Sequence, residues 1–236
     1  MRIKVIIPNS GMERSTLDER EEMLAQYACP GTEISVDCIP KGPESIESFY
    51  DEVLACPYVA EMAIQAEKDG FDAVIVYCGS DPAVDAAREV GDIPVIGPGK
   101  ASKLVASDLG YRFSVLTVLE TCVVHDREAV YEKGFSPERL ASVRAIGIPV
   151  SNVRSDMDKS LDALVEAGKK CLEDGADCLV LSCLGMAGLG EKLQERLGVP
   201  VIDPAPVAVQ YAQTLVRLNL SSSRIAYPKP PEKIRI

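Results

Sequence analysis

An internal repeat is the feature that most constrains how this chain can fold. Residues 69–78 read Asp-Gly-Phe-Asp-Ala-Val-Ile-Val-Tyr-Cys, and residues 174–183 read Asp-Gly-Ala-Asp-Cys-Leu-Val-Leu-Ser-Cys. Both segments carry Asp-Gly and a further Asp before a short apolar run that ends in cysteine. The match continues downstream, where residues 93–98 parallel residues 199–204. Self-similarity at a fixed separation indicates repeated structural units, so the chain is predicted to contain two similar halves.

Each half has the same predicted order of elements: strand, helix, strand, helix, strand, helix and short strand. The first strands also match, residues 2–6 with residues 112–116. Short apolar strands that alternate with helices are typical of parallel sheets covered on both faces. The strands are expected at residues 2–8, 33–39, 73–78 and 94–96, and at residues 112–118, 142–148, 178–183 and 200–202. The helices are expected at residues 16–27, 46–69, 82–90, 121–133, 158–174, 187–196 and 206–218.

The predicted fold class is therefore α/β, with two pseudo-twofold-related domains and an active site in the cleft between them. Each domain is expected to hold a parallel four-stranded sheet flanked by helices. We assign residues 1–100 together with residues 206–236 to the first domain, and residues 101–205 to the second. Residues 221–236 are rich in Ser and Pro and are expected to form a surface arm.

Charge and hydropathy argue against several classes of function. The chain of 236 residues has a net charge of −11 and no long run of Lys or Arg. Nucleic acids and anionic membranes attract clustered positive charge, so neither is expected as a partner. The sequence has no recognisable signal peptide and no apolar stretch of membrane-spanning length, so a cytoplasmic location is expected.

The cysteine content does not suggest a disulfide framework or a metal centre. The chain has eight cysteines and a single histidine, His125. Without an export signal, reduced thiols are expected. The absence of a Cys-x-x-Cys pair argues against zinc, and no lysine stands in a context that suggests a Schiff base with pyridoxal phosphate. Neither a metal nor a cofactor is therefore expected.

Two cysteines occupy equivalent positions in the repeat. Cys78 and Cys183 each stand at the carboxyl end of a predicted parallel strand, where ligands of open α/β sheets bind. Backbone N–H groups at the following turns are expected to lower each thiol pKa and to attract a carboxylate or carbonyl oxygen. Two opposed thiols can remove a proton from one face of a carbon acid and return one to the other face. The pair predicts stereoinversion, without a cofactor, of a small molecule bearing a carbonyl or carboxylate.

The other polar features receive structural interpretations. The six remaining cysteines are interpreted as buried thiols. Residues 97–100, Gly-Pro-Gly-Lys, lack the spacing of a phosphate-binding loop and are interpreted as a turn. His125 is interpreted as a partly buried histidine rather than a catalyst, although its ordinary pKa is near neutrality. Glu120 and Asp126 are interpreted as solvated helix positions.

The motifs resemble those of the aspartate/glutamate racemase superfamily, most closely its hydantoin/allantoin racemase branch. Segments 7–10, 78–89, 112–117, 142–150 and 183–187 carry the resemblance. It implies an isomerase, a cofactor-independent racemase whose thiols Cys78 and Cys183 invert a stereocentre beside a carbonyl on a hydantoin-type or allantoin-type ring. It also allows for a homo-oligomer. The resemblance carries substrate-binding roles over to Asn9, Ser10, Gly79, Ser80, Thr117, Leu184 and Gly185.

Several alternatives remain open at the level of sequence. Within the same superfamily, they are racemisation of an amino acid such as aspartate or glutamate, and cis–trans isomerisation of maleate by thiolate addition. Decarboxylation of a malonate needs only one of the two thiols, so the presence of both argues against it. A different class is a non-catalytic small-ligand binding protein, which the fold alone permits.

Overall fold

Two parallel four-stranded sheets, one from each half of the chain, form the framework of the protein. They are seen in a computed structural model that describes residues 1–234. The first sheet contains β1 (Arg2–Ile7), β2 (Glu33–Cys38), β3 (Ala73–Val76) and β4 (Val95–Ile96), in the spatial order β2-β1-β3-β4. The second contains β5 (Phe113–Thr117), β6 (Leu140–Ala145), β7 (Cys178–Leu181) and β8 (Val201–Ile202), in the equivalent order β6-β5-β7-β8. The predicted α/β fold class is confirmed.

Helices connect the strands and cover the faces of both sheets. They are α1 (Arg14–Ala25), α2 (Phe49–Lys68), α3 (Val84–Val90), α4 (Pro98–Leu109), α5 (Glu120–Glu132), α6 (Val150–Val153), α7 (Met157–Glu173), α8 (Gly190–Leu197) and α9 (Pro204–Arg217). Short 3-10 turns lie at Pro137–Arg139 and Leu184–Met186. None of the helices in residues 1–234 has the length and hydropathy needed to cross a bilayer.

The repeated Asp-Gly-x-Asp sequence has a structural cause. The carboxylate of Asp72 accepts the backbone N–H of Arg2 at 2.7 Å, and that of Asp177 accepts the backbone N–H of Arg112 at 2.8 Å. Each arginine side chain in turn donates to the carbonyl of the aspartate that opens its repeat, at 2.9 and 3.4 Å respectively. The same hydrogen bonds therefore fix the start of the first strand against the loop before the third strand in each half.

The central strands are buried on both faces, as their apolar sequences predicted. Every residue of β3, β5 and β7 is buried. Helix α9 contacts α4, β3 and α1, so the end of the chain packs against the first sheet. Helix α4 also contacts β7 and β8 and so spans the two halves. The domain boundaries remain a prediction, and residues 235 and 236 of the first domain lie outside the described residues.

Two helices were absent from the sequence interpretation, the one-turn α6 and the longer α4. Residues 97–100 are not an isolated turn, because Gly97 caps α4 and Pro98 occupies its first turn. The buried residues of this helix include Gly99, Ser102 and Lys103, so it lacks the apolar stripe by which helices are recognised. All other predicted strands and helices lie within three residues of the observed bounds.

The segment that follows α9 lies on the surface, as expected for an arm. Its Arg224 donates to the carbonyl oxygens of Arg88 and Glu89 at 2.9 and 3.2 Å and pairs with Asp92 at 2.9 Å. Lys229 also pairs with Asp92, at 2.5 Å. These contacts attach the arm to the end of α3, at residues for which no role was predicted.

We predict that Asp177→Ala lowers the free energy of unfolding by about 1–2 kcal/mol, because two backbone N–H groups lose a charged acceptor. These N–H groups belong to Tyr111 and Arg112. Urea denaturation followed by circular dichroism measures the effect. The exposed helical substitution Glu195→Ala is the control and should change stability by less than about 0.5 kcal/mol. Equal stability of the two variants would contradict the structural role of the repeat.

Candidate active site

A cavity of about 320 Å³ lies where the carboxyl ends of β3 and β7 meet. Residues from both halves of the chain line it. All nine residues with a predicted catalytic or binding role are among them: Cys78, Cys183, Asn9, Ser10, Gly79, Ser80, Thr117, Leu184 and Gly185. The structure therefore brings together every residue that the sequence selected, while their individual chemical roles remain predictions.

Backbone contact between the two cysteine loops fixes the floor of this cavity. A Cβ atom at Gly79 would lie 1.7 Å from the carbonyl oxygen of Ser182, which directly precedes Cys183. On the other side, a Cβ atom at Gly99 would lie 1.8 Å from the carbonyl oxygen of Gly79. Real side chains cannot be accommodated at either distance. Glycine at both positions therefore allows the Cys78 loop to pack between the Cys183 loop and the first turn of α4.

The two thiols have similar surroundings. The Cys78 Sγ lies 3.3 Å from the Ser80 hydroxyl, and the Gly185 N–H donates to the Cys183 Sγ at 3.3 Å. Burial raises the pKa of Cys78 to about 12 and that of Cys183 to about 11, although these hydrogen bonds act in the opposite direction. The expected lowering of both pKa values is thus wrong for the ligand-free site. Desolvation of a thiolate outweighs the few donors that reach it.

Electrostatic coupling links the two thiols. A negative charge on Cys183 is among the causes that raise the pKa of Cys78, after burial as the largest cause. Ionisation of both thiols at once is therefore disfavoured. Because burial raises both pKa values, both cysteines are thiols near neutral pH.

The predicted polar contacts differ in what they offer a ligand. The Ser10 hydroxyl donates to the carbonyl oxygen of Gly42 at 2.7 Å, and its backbone N–H donates to Pro43 at 2.8 Å. The donor capacity of Ser10 is therefore used to hold a neighbouring loop. Asn9 is half-buried, and Thr117 is almost completely buried at the end of β5.

Asp126 is a component of the site and not a solvated helix position, so that interpretation is wrong. Its side chain lines the cavity, is 5% exposed and accepts the Ser182 hydroxyl at 2.5 Å. The reason is the orientation of α5, which turns Cys122, Asp126 and Val130 towards the interior. Glu120 is exposed, as predicted.

His125 lies at the wall of the cavity with an acidic neighbour. It is half-buried, as predicted, and its Nε2 lies 3.1 Å from the Glu52 carboxylate. Its ring also meets the edge of Phe49 at 4.2 Å between centroids. Burial acts to lower the pKa of His125, but the Glu52 and Asp126 carboxylates outweigh it, so the net direction is upward. The imidazole thus keeps its proton to a higher pH than a free histidine.

Polar contacts hold the loop after Cys78 from the outside. The Lys133 ammonium donates to the Ser80 carbonyl at 3.0 Å and pairs with Asp81 at 3.3 Å. The Asp81 carboxylate also accepts the backbone N–H groups of Gly99 and Lys100 at 2.7 and 2.8 Å. The loop is thereby connected both to α4 and to α5.

Two arginines also reach the cavity. Arg20 projects from α1, and Arg154 follows α6. Arg154 donates to the carbonyl oxygens of Gly185 and Ala187 at 3.3 and 3.1 Å, so it supports the loop after Cys183. The Arg20 guanidinium forms no hydrogen bond or ion pair with any residue in the described range.

Comparison with known proteins places this arrangement in a family. The sequence model described as Asp/Glu/Hydantoin racemase matches residues 3–212. The chain belongs to the Asp/Glu/hydantoin racemase family. The hydantoin racemase of Pseudomonas sp. strain NS671 is 37% identical over 235 residues, which cover 99% of this chain and 93% of that protein. The resemblance inferred from the motifs is thereby confirmed, as is the assignment to the racemases, which are isomerases.

Solved structures of family members agree in fold over nearly the whole chain. The allantoin racemase from Pseudomonas fluorescens superposes with a TM-score of 0.92 at 35% identity and covers 100% of both chains. The allantoin racemase from Klebsiella pneumoniae has a TM-score of 0.90 at 33% identity, covering 98% of this chain and 94% of that one. The two parallel sheets of this racemase are therefore arranged as in experimentally determined relatives.

Sequence reasoning missed Asp126, Arg20 and Arg154 in this racemase. Helical spacing contained a signal for two of them. Arg20 stands three residues after Leu17 and four before Leu24, which are both buried, so it belongs to the inward face of α1. Asp126 stands four residues after the buried Cys122 in the same way. No spacing signal points to Arg154.

We predict that Gly79→Ala destabilises this racemase by about 3 kcal/mol, because the new methyl group displaces backbone atoms of the second cysteine loop. Urea denaturation measures the loss. Ser80→Ala is the matched control, since it alters the next residue without adding an atom to the contact, and it should cost less than about 1 kcal/mol. Unchanged stability of Gly79→Ala would show that the loops can separate freely.

We also predict slow alkylation of Cys78 and Cys183 at neutral pH. Only the thiolate reacts, so with pKa values of about 12 and about 11 the rates should rise roughly tenfold per pH unit above neutrality. Cys29 is an internal standard, because its pKa is lowered by hydrogen bonding to Arg217. Iodoacetamide labelling followed by peptide mass spectrometry gives all three rates. Labelling of Cys78 and Cys183 as fast as Cys29 at pH 7 would contradict the burial argument.

Proposed function

We propose that this racemase inverts a stereocentre next to a carbonyl group by proton transfer between Cys78 and Cys183. The proposed substrate is a hydantoin-type or allantoin-type ring. The observation that carries the proposal is that two equivalent loops, held together by backbone contact, each bring one thiol to the same cavity. The names of the relatives support the choice of ring.

The proposed reaction begins with the pair in its singly ionised state. The thiolate removes the proton from ring carbon C5, and the electrons of the broken C–H bond move onto the adjacent carbonyl oxygen as an enolate. The opposite thiol then donates its proton to the other face of C5. The product is the other enantiomer, and the thiol and thiolate have exchanged places. No electron is gained or lost, so the step needs no redox partner.

The raised thiol pKa values are compatible with this chemistry. A thiolate that is poorly solvated is a stronger base than one in water, and a bound ring excludes further water from the site. The enolate oxygen requires hydrogen-bond donors, and we assign this function to the backbone and side-chain donors of Gly79, Ser80 and Thr117. The Gly185 N–H already donates to the Cys183 Sγ, so Gly185 is assigned to contact with the ring. Asn9 and Leu184 are assigned to contacts with the ring.

Racemisation of a free amino acid is the second candidate, and Asp126 favours it. An ammonium group needs an acidic partner, and Asp126 presents a carboxylate at the cavity. One of its oxygens already accepts the Ser182 hydroxyl, and its other oxygen could equally accept a ring N–H. Assays with substituted hydantoins, allantoin, aspartate and glutamate distinguish the two substrates. Detection of carbon dioxide or of a maleate product would instead identify decarboxylation or cis–trans isomerisation.

The decisive test is proton exchange in deuterated water with each single variant, Cys78→Ser and Cys183→Ser. We expect each substitution to reduce racemisation by about 10²–10⁴-fold, because the acid on one face is lost. Each variant should still exchange the C5 proton of one enantiomer, and the two variants should prefer opposite enantiomers. Chiral chromatography gives the racemisation rate, and proton NMR gives the exchange rate.

Cys29→Ser is the control for that experiment. Cys29 is a partly exposed thiol that does not line the cavity, so its variant should racemise at the wild-type rate. If both Cys78→Ser and Cys183→Ser keep full turnover, the two-thiol mechanism is wrong. If both variants exchange the same enantiomer, the thiols do not act on opposite faces.

A further inference from the structure

The cavity contains a positive charge that has no partner within residues 1–234. Arg20 projects from α1 into the lining and is half-buried. No described carboxylate pairs with it, and no described carbonyl oxygen accepts its N–H groups. A partly desolvated guanidinium without hydrogen bonds is energetically unfavourable. We therefore expect Arg20 to form hydrogen bonds with a ligand that enters the cavity.

The surrounding charges increase this imbalance. Burial, followed by the positive charge of Arg154, lowers the pKa of Arg20 and outweighs the opposite effects of Tyr77, Glu19 and Cys183. The two acidic side chains on the cavity do not compensate. Asp126 is hydrogen-bonded by Ser182, and Glu44 is exposed and forms no ion pair with either arginine in the described structure. This end of the cavity is therefore complementary to an anion.

A second unpartnered polar group lies on the same wall. Tyr77 is 6% exposed, and its hydroxyl has no hydrogen-bond partner. It lines the cavity directly before Cys78, and the charge of Arg20 acts on it. Its oxygen is sealed from the cavity, so it cannot donate to a ligand there, and the donors that an anion can reach on this side are those of Arg20.

We propose that Arg20 binds a carboxylate on the substituent of the substrate ring. The inference rests on the proposed function and narrows its substrate to an anionic hydantoin, with a carboxylate on a short C5 side chain. A guanidinium and a carboxylate form two parallel hydrogen bonds, which orient as well as attract. Arg20 is thus a specificity-determining residue that positions C5 between the two thiols.

A competing role for Arg20 is to activate Cys183 directly. Both residues line the same cavity, and a negative charge on Cys183 would raise the pKa of Arg20. The two roles differ in what they predict. An activating Arg20 affects every substrate equally and shifts the pH profile, whereas a carboxylate-binding Arg20 affects anionic substrates only and acts mainly on KM.

The test compares 5-(2-carboxyethyl)hydantoin with its uncharged analogue 5-(2-carbamoylethyl)hydantoin, which has nearly the same shape. The wild-type protein should prefer the acid in kcat/KM by roughly 30-fold. Arg20→Gln should remove that preference, mostly through KM, and leave kcat/KM for the amide within about threefold. Arg20→Lys should retain part of the preference, because it keeps the charge but not the paired hydrogen bonds.

The matched control is Arg196→Gln. Arg196 is an exposed arginine on α8 that does not line the cavity, so this variant should behave as wild type.

Two results would overturn the inference. One is equal kcat/KM for the acid and the amide with the wild-type protein. The other is an equal loss for both substrates in Arg20→Gln, together with a shifted pH profile, which would assign Arg20 to thiol activation. Circular dichroism and thermal melting of Arg20→Gln and Arg20→Lys exclude misfolding as the cause of a loss.

A binding measurement separates failure of this inference from failure of the proposed function. In the double variant Cys78→Ser/Cys183→Ser, which cannot turn over substrate by the proposed route, calorimetry should show tighter binding of the acid than of the amide. Addition of Arg20→Gln should abolish that difference. If the wild-type protein racemises neither hydantoin but this difference in affinity is found, the anion site is supported and the proposed racemisation of hydantoins is refuted. Identical binding with and without Arg20 would refute the anion site itself.

Discussion

Direct packing of backbone on backbone between the two cysteine loops is the constraint on which the site depends. Gly79 lies against the Ser182 carbonyl, and Gly99 lies against the carbonyl of Gly79. Protein interiors are nearly incompressible, so such contacts hold the loops at a fixed separation. The loop after Cys78 and the loop before Cys183, one from each half of the chain, are thereby connected beside the cavity. Helix α4 contacts α9 and the strands β7 and β8, and its Gly99 packs against the Gly79 carbonyl, so it holds this junction from the other side.

Desolvation is the second organising influence on the site. It raises the pKa of both cysteines and makes the ionic state of each depend on the other. The same low polarity makes every neighbouring charge significant. Asp126, Asp81 and Arg154 each have hydrogen-bond partners within the protein, and these tie the loops in place. The site therefore combines a polar frame fixed by hydrogen bonds with two thiols whose pKa values burial raises.

The unpaired Arg20 is an exception within that frame. Charged groups that serve only to hold a fold are found with their partners, as Lys133 is with Asp81. Specificity in such a protein is expected to reside on α1, because within residues 1–234 Arg20 forms no hydrogen bond with the loops that carry the two cysteines, whereas Arg154 holds the loop after Cys183.

The predictions from sequence succeeded where structure is local or repeated. The Arg2–Asp72 and Arg112–Asp177 pairs recur because each half must fix its strands in the same way, and the recurrence is visible as a motif. Strand ends and helix order followed from apolar runs and turns. Helix α4 was missed because its buried residues include a lysine and a serine, and Asp126 because a charged residue was assumed to be solvated.

By itself, the sequence determined the α/β class, the twofold repeat and the placement of Cys78 and Cys183 at equivalent strand ends. These properties follow from spacing along one chain, which apolar periodicity and turn residues record directly. Only the tertiary structure decided which groups face the thiols across the cavity, that burial raises their pKa values, and that Arg20 has no partner. Such properties depend on how the two halves and their helices pack in space. Neither the burial of a side chain nor the distance between charges that are remote in sequence can be inferred from one segment alone.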